Sequence, residues 1–210
     1  MPKVTAEHVD ARRRQILSAA LRCFAREGFH RTTMQDIFRE AELSPGAVYS
    51  YFKGKDELIA AIIVTIVGFI AESAALFGEP LPEGRLRRAG EALAELIAAY
   101  RSADFGSAAE RARIFPHLAG EQQRDTTLNA AARAGFDGLR ASFAKLARAA
   151  QERGELDPGI DPDAFSRLPI ALLHGMLIQL GVYGDELDLD AYARAAQALL
   201  DGPAPDRTRG

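Results

Sequence analysis

The chain has 210 residues, 48% of them hydrophobic and 26% charged, with a net charge of -3. That length allows one large or two small domains with a substantial core. The acidic net charge excludes a protein coated with nucleic acid along its whole length. Abundant Ala and Leu, with few runs of Val, Ile and Thr, predict an all-α fold.

The charge is unevenly distributed along the chain. Residues 1–55 carry 10 Lys and Arg against 6 Asp and Glu, whereas the remainder carries 16 against 23. A basic end joined to an acidic body is expected when only that end meets a polyanion. Because the basic excess is modest, a chance distribution is the alternative.

The N-terminal residues and the apolar runs predict a cytoplasmic protein without membrane contact. Residues 1–8 lack the apolar core of a signal peptide, and the single Cys23 cannot form an internal disulfide. The most apolar run, 58–71, has 14 residues. A membrane span needs roughly 20.

The first part of the chain predicts three short helices, over residues 10–27, 34–40 and 45–51. Gly28 is a natural stop for the first helix. Thr32 or Thr33 is expected to cap the second, with Gln35 at the capping-box distance from Thr32. Ser44-Pro45, a cap followed by proline, begins the third.

The remainder predicts a bundle of longer helices separated by Gly- and Pro-containing breaks, over 56–77, 85–102, 107–119, 124–153, 161–183 and 188–201. The chain then has about nine helices. We expect a domain over 1–55, a second over 56–201, and a disordered tail over 202–210.

The second and third helices have the length and spacing of a helix-turn-helix, which places one helix in the DNA major groove. Small residues on the outer face of the third helix permit close approach, and hydroxyl groups reach phosphates or base edges. Lys55 and the helix N-terminus at Thr33 are well placed to bind DNA phosphates. The expected DNA-facing residues are Thr33, Ser44, Pro45, Gly46, Ala47, Tyr49, Ser50, Tyr51 and Lys55.

Each of these residues has a structural alternative. Ser44 is explained equally by capping, Tyr49 by packing, and Lys55 by a solvated charge.

Residues 24–37 and 41–58 closely resemble the N-terminal signature of TetR/AcrR-family regulators. The matching features are Phe-Ala-x-x-Gly-Phe, Thr-Thr, and Ser-x-Gly-x-Val-Tyr-x-Tyr-Phe-x-x-Lys-x-x-Leu. Phe38-Arg39 and Glu42-Leu43 depart from the family pattern but remove no matched contact residue. The resemblance implies that Thr33, Ser44, Gly46, Ala47, Tyr49, Tyr51 and Lys55 face DNA.

The resemblance also implies that the remaining helices bind a ligand and form a dimer. The helix near 161–183 has more apolar residues than one buried face requires, so it and 188–201 are expected to form half of an intersubunit four-helix bundle. Burial of both helices in the monomer core is the alternative.

Aromatic residues of the body predict an apolar ligand cavity, to which a histidine would add a polar contact. They are Phe69, Tyr100, Phe105, Phe115, His117, Phe136 and Phe143. Aromatic side chains at helical spacing also form ordinary cores, and a lone histidine is commonly structural.

The sequence contains no Ser-His-acid signature, no metal-ligand spacing and no phosphate-binding Gly loop, so no enzyme, cofactor or metal is predicted. A helical adaptor, or a membrane-surface protein using the helix of Arg12–Arg14, is the rival. The favoured hypothesis is a dimeric repressor that a small, largely apolar molecule releases from a palindromic operator. Repression follows from the resemblance alone.

Overall fold

A computed structural model describes residues 6–82, 84–124 and 126–202. Within those ranges all regular structure is helical, which confirms the all-α prediction. The helices are α1 (Ala6–Arg31), α2 (Met34–Glu40), α3 (Pro45–Tyr49), α4 (Lys55–Gly78), α5 (Ala89–Ser102), α6 (Ala108–Arg124), α7 (Thr126–Glu152), α8 (Pro162–Phe165), α9 (Arg167–Tyr183) and α10 (Leu189–Asp201), with a 3-10 turn at Gly184–Glu186. The predicted tail, apart from Gly202, lies outside the described residues.

Several predicted helices have different limits in the structure, where α5 begins at Ala89 rather than at 85 and α6 runs to Arg124 rather than ending at 119. The helix α1 does not end at Gly28, which is instead a kink with φ 77° and ψ 167° before a last turn to Arg31. The predicted helix 161–183 is divided at Ser166 into α8 and α9. Glycine accepts the positive φ of such a kink because it has no Cβ.

The capping box of α2 uses Thr33 rather than Thr32. The Thr33 Oγ1 accepts the backbone N–H of Asp36 at 3.3 Å, and the Asp36 carboxylate accepts the Thr33 N–H at 2.9 Å. Thr32 is buried, and its hydroxyl donates to the carbonyl oxygen of Gly28 at 2.8 Å. The expected pairing of Thr32 with Gln35 is therefore wrong, because Thr32 is bonded back to α1.

The N-terminal head, α1 to α3, packs around its own apolar core. Phe24, Ile37, Val48 and Phe52 are all fully buried there. Burying each such side chain stabilises the fold by about 1.5–3 kcal/mol. The first turns of α4 add Leu58 to the same core, so the head is continuous with the body.

The body consists of α4 to α10. In it α4 lies along α7, α5 lies against α10, and α6 lies against α9. Its core includes Leu93, Leu139 and Met176, all buried, and a pair of tilted rings, Phe77 and Phe143, with centroids 5.9 Å apart.

A second joint between head and body connects α1 to α6. Ile114 and Leu118 of α6 belong to the apolar core of the head. Gly106, in the loop between α5 and α6, has φ 63° and lies so close to Leu21 that an added Cβ would be 2.2 Å from Leu21 Cδ2. The body therefore touches the head through this loop as well as through α4.

Candidate DNA-binding face and internal cavity

The outer face of α3 presents short side chains and backbone. Ser44, Pro45, Gly46 and Ser50 are exposed, whereas Val48 is fully buried against α1 and α2. The Ser44 Oγ accepts the backbone N–H of Ala47 at 3.3 Å, so its capping role is realised. A helix with so few long polar side chains makes few bidentate base contacts, which leaves more discrimination to backbone contacts and DNA shape.

Tyr49 is both packed and exposed. Its ring meets Phe38 edge-to-face, with centroids 5.3 Å apart, while 49% of the residue remains accessible. Phe38, one of the departures from the family pattern, thus supports the side of the tyrosine ring. The two alternatives for Tyr49, packing and DNA contact, are compatible with one another.

Two further residues of the predicted face, Lys55 and Ser50, already have hydrogen-bond partners. Lys55 Nζ donates to the carbonyl oxygens of Phe29 at 2.7 Å and Thr32 at 3.2 Å, at the end of α1. The Ser50 hydroxyl donates to the carbonyl of Ala47 at 2.7 Å. The Lys55 ammonium has three N–H donors, so one stays available to a phosphate, whereas the Ser50 hydroxyl has a single donor and must exchange its partner to bind one.

The start of α2 carries a carboxylate where a phosphate contact was predicted. The Thr33 hydroxyl donates to Asp36 Oδ2 at 2.6 Å. This bond and the one from the Thr33 N–H lower the pKa of Asp36. A phosphate approaching Thr33 therefore meets an ionised side chain. Ala47, Tyr51 and Lys55 are half-buried, and the remaining predicted residues are exposed.

A cavity of about 260 Å³ lies inside the body. Five of the seven predicted ligand-contacting residues line it, Phe69, Tyr100, Phe105, Phe115 and Phe136. The remaining lining residues are Thr65, Ile66, Ile70, Leu96, Ala103, Asp104, Arg111, Leu173, His174 and Leu177.

Two predicted residues lie elsewhere. Phe143 is fully buried in the body core beside Phe77. His117 is exposed, and its ring faces Phe29 of the head at 5.7 Å between centroids. Neither contributes to the lining, so the polar contact expected of His117 comes from other residues.

Arg111 and His174 supply polar groups to the cavity, and the sequence reasoning missed both. Arg111 is only 4% exposed, and its terminal nitrogens donate to the carbonyls of Tyr100, Ala103, Phe105 and Gly106. Its guanidinium also stacks on the Tyr100 ring at 4.7 Å. The only available signal was the spacing of Arg111 from Phe115, four residues on, which places both on one face of α6.

His174 stands between two aromatic rings of the cavity wall. Its ring centroid lies 5.3 Å from that of Phe115 and 5.4 Å from that of Phe136. Burial lowers the pKa of His174, which favours the neutral imidazole. No cluster of three or more His, Cys, Asp or Glu suited to a metal occurs within the described ranges.

The helices α9 and α10 together expose an apolar face. On α9, Ile178 and Val182 follow Gly175 at helical spacing, and Val182 is 72% exposed. On α10, Leu199 is also 72% exposed. The Tyr192 hydroxyl donates to the carbonyl of Leu172 at 2.7 Å and so ties the two helices together. Exposed patches of this kind mark interaction surfaces.

Two helices, Lys55–Gly78 and the run Pro162–Glu186, are long and apolar enough to cross a membrane by length and composition. Residues 58–71 are the longest uncharged part of α4, which has 24 residues, so the length of that run alone does not exclude a membrane span. Core helices of globular proteins meet the same criterion. In this structure α4 packs along α7, and α9 packs against α6, so α4 and α9 both form part of the packed helical body.

Two family models match the chain. Residues 16–62 match that of the bacterial regulatory proteins of the tetR family, and residues 86–199 match the tetracyclin repressor-like C-terminal domain. The fold, the helix-turn-helix and these matches define a helix-turn-helix transcriptional regulator. The chain belongs to the TetR family, which confirms the predicted resemblance.

Named relatives agree with this assignment. The regulator UidR of Escherichia coli (strain K12) is 30% identical over 191 residues, 90% of this chain and 91% of that protein. The uncharacterized regulator YfiR of Bacillus subtilis (strain 168) is 48% identical over 64 residues, which is 30% of this chain and 31% of that protein. The chain therefore matches about a third of YfiR.

Solved structures show the same architecture. Salmonella enterica GusR aligns with a TM-score of 0.63 at 26% identity, covering 95% of this chain and 97% of that one. The fatty acid degradation regulator FadR from Bacillus halodurans aligns with a TM-score of 0.66 at 18% identity, covering 92% and 96%. At that lower identity, the likeness to FadR concerns the fold alone.

Proposed function

We propose that the protein is a dimeric repressor that leaves a palindromic operator when a small, largely apolar molecule binds in the body cavity. The observation that carries the proposal is the cavity of about 260 Å³, walled by aromatic side chains and adjoining the joint with the head. Phe105 belongs both to the cavity wall and to the apolar core of the head. A molecule that displaces Phe105 acts directly on α1.

The exposed apolar face of α9 and α10 supports the dimer. Pairing of this face about a two-fold axis buries Ile178, Val182 and Leu199 in a four-helix bundle. Two heads then present two α3 helices to half-sites about one helical turn apart. A ligand that binds more tightly when the heads have a different spacing shifts the population away from DNA.

A gel-shift experiment tests specific DNA binding. The probes are DNA fragments from upstream of the protein's own gene and neighbouring genes, compared with random DNA of equal length across a salt series. We expect at least one fragment to bind more tightly, with affinity falling as salt rises because phosphate contacts release counterions. Equal binding to all fragments would contradict specific regulation.

The proposal also covers location and activity. A regulator of this family works where the chromosome is, so we propose a cytoplasmic location and no enzymatic turnover. Sedimentation with liposomes in place of sequence-specific DNA binding would favour the membrane-surface alternative.

A further inference from the structure

Arg111 is a buried cation without a carboxylate partner. Only 4% of the residue is exposed, and no acidic side chain of the described residues forms an ion pair with it. Four carbonyl oxygens satisfy its terminal nitrogens, but its Nε–H has no acceptor. Buried donors are rarely left unpaired in native structures. Arg111 lines the cavity, so a ligand that enters with a small shift of this side chain supplies the acceptor that the Nε–H lacks.

His174 lines the same cavity with a second unpaired nitrogen. Its Nε2 is buried and has no hydrogen-bond partner. The rings of Phe115 and Phe136 flank the imidazole and offer it no acceptor or donor of the usual strength. A polar ligand group would satisfy this atom together with the Arg111 Nε.

The buried charge of the lining favours an anion. Asp104 is the only carboxylate among the lining residues, but its side chain is 96% exposed and pairs with Arg14 at 3.8 Å. Arg111 is thus the one charged group held inside the wall. Coulomb attraction is stronger in such a low-dielectric interior, and hydrogen bonds to charged groups are about twice as strong as neutral ones.

The size and the aromatic walls of the cavity indicate the size and shape of the rest of the ligand. At protein-like packing density, about 260 Å³ accommodates roughly ten to fifteen non-hydrogen atoms. Five aromatic rings and one imidazole surround this space, and such rings pack favourably against a flat ring.

We propose that the effector is an organic acid with a ring-containing apolar body of this size, its acidic group bound by Nε of Arg111 and Nε2 of His174. This inference rests on the proposed function, because it names the chemical class of the molecule that the cavity takes. The acidic end then lies beside the loop from Ala103 to Gly106, which Arg111 holds and which touches α1.

Three matched probes test the class of ligand by isothermal titration calorimetry on the full chain. They are 2-naphthoate, its neutral analogue 2-naphthamide, and the cationic 2-naphthylmethylammonium. We expect 2-naphthoate to bind at least about tenfold more tightly than the amide, with the ammonium weakest, because only the acid supplies a charged acceptor. Equal binding of the three, tighter binding of the ammonium, or no binding of 2-naphthoate would overturn the proposal.

Two histidine substitutions locate the acidic group. His174→Leu removes the cavity nitrogen and leaves the Arg111 bonds intact, so 2-naphthoate should lose about tenfold in affinity. The control is His117→Leu, since His117 is exposed and lies outside the cavity. Unchanged affinity in His174→Leu, or an equal loss in the control, would overturn the assigned position.

Arg111→Met should abolish the preference for the acid over the amide. Arg111 also binds three loop carbonyls and that of Tyr100 in α5, so far-UV circular dichroism establishes first whether this variant folds. If it does not fold, the result for His174→Leu decides. A parallel gel shift without ligand tests the repressor function separately from the proposed class of ligand. Specific DNA binding with no preference for 2-naphthoate refutes the ligand class alone, whereas acid binding without specific DNA binding refutes the repressor.

Discussion

Gly90 lets α5 and α10 approach each other closely, and the substitution Gly90→Ala measures how rigid that contact is. A Cβ added to Gly90 would lie 2.6 Å from the carbonyl oxygen of Gln197 and 2.7 Å from its Cα. Both atoms belong to the backbone of α10, so no side-chain rotation relieves the overlap. The Gly90 N–H also donates to Oδ1 of Asp201 at 2.7 Å, and a shift of α10 would stretch that bond.

The expected loss of stability follows from opposing contributions. Alanine is favoured over glycine within a helix by about 0.5–1 kcal/mol. Overpacking costs about 1–3 kcal/mol, and a hydrogen bond to a charged group contributes about 1.5–3 kcal/mol. The last two do not add fully, because moving α10 relieves the overlap while it weakens the bond. We expect the free energy of unfolding to fall by about 1–3 kcal/mol.

Urea unfolding followed by far-UV circular dichroism, at one fixed protein concentration, measures this change. The matched control is Gly68→Ala within α4, where an added Cβ meets no atom within 4 Å outside its own helix. The control should be more stable than the parent by about 0.5–1 kcal/mol. If Gly90→Ala is as stable as Gly68→Ala, the close approach of α5 and α10 is not a constraint and the reasoning fails.

Three further predictions concern the face of α3, the dimer and the head. Tyr49→Ala should weaken operator binding by about 1–3 kcal/mol in gel shifts while sedimentation still shows a dimer; loss of both would identify Tyr49 as a core residue. Ile178→Glu should shift the protein to monomers in size-exclusion chromatography with light scattering, whereas an unchanged mass would exclude that face. Glu40→Gln should cost about 0.2–1 kcal/mol near pH 7, because Arg22 and Arg26 lower the pKa of Glu40. This contribution should begin to fade below pH 4.5 and vanish once the folded-state carboxyl is protonated, and a loss that persists at lower pH would contradict it.

The helices were predictable where local chemistry determines them. Ser44-Pro45 and Asp161-Pro162 both begin helices in the structure, as a cap followed by proline should. The choice between Thr32 and Thr33 was not determined by spacing, because it depends on which hydroxyl is buried against α1. The break at Ser166 has a local cause that the predicted helix 161–183 ignored. Pro169, three residues on, has no backbone N–H and is tolerated only in the first turn of a helix, so α9 begins anew at Arg167.

The DNA-facing residues were predicted from their positions in the sequence motif. The structure adds the hydrogen-bond partners of their side chains. The exposure of residues 44–46, 49 and 50 follows from helical spacing once Val48 is recognised as apolar and buried. The partners of Lys55, however, are carbonyls at the end of α1, more than 20 residues earlier in the chain. Such long-range partners cannot be predicted from a local sequence pattern. A lysine at a motif position that contacts DNA can therefore also stabilise the fold.

The cavity shows why aromatic spacing alone does not separate a binding wall from a core. Phe136 and Phe143 lie on the same helix, two turns apart, yet one lines the cavity and the other packs on Phe77. What distinguishes them is the neighbouring helix, which is tertiary information. The same holds for Arg111 and His174, whose burial depends on contacts with other elements. In a largely apolar cavity, buried polar atoms determine which ligand is accepted, because leaving them unpaired is costly. The residues that we propose to contact the effector are therefore ones that sequence patterns assign to the surface or to the dimer interface.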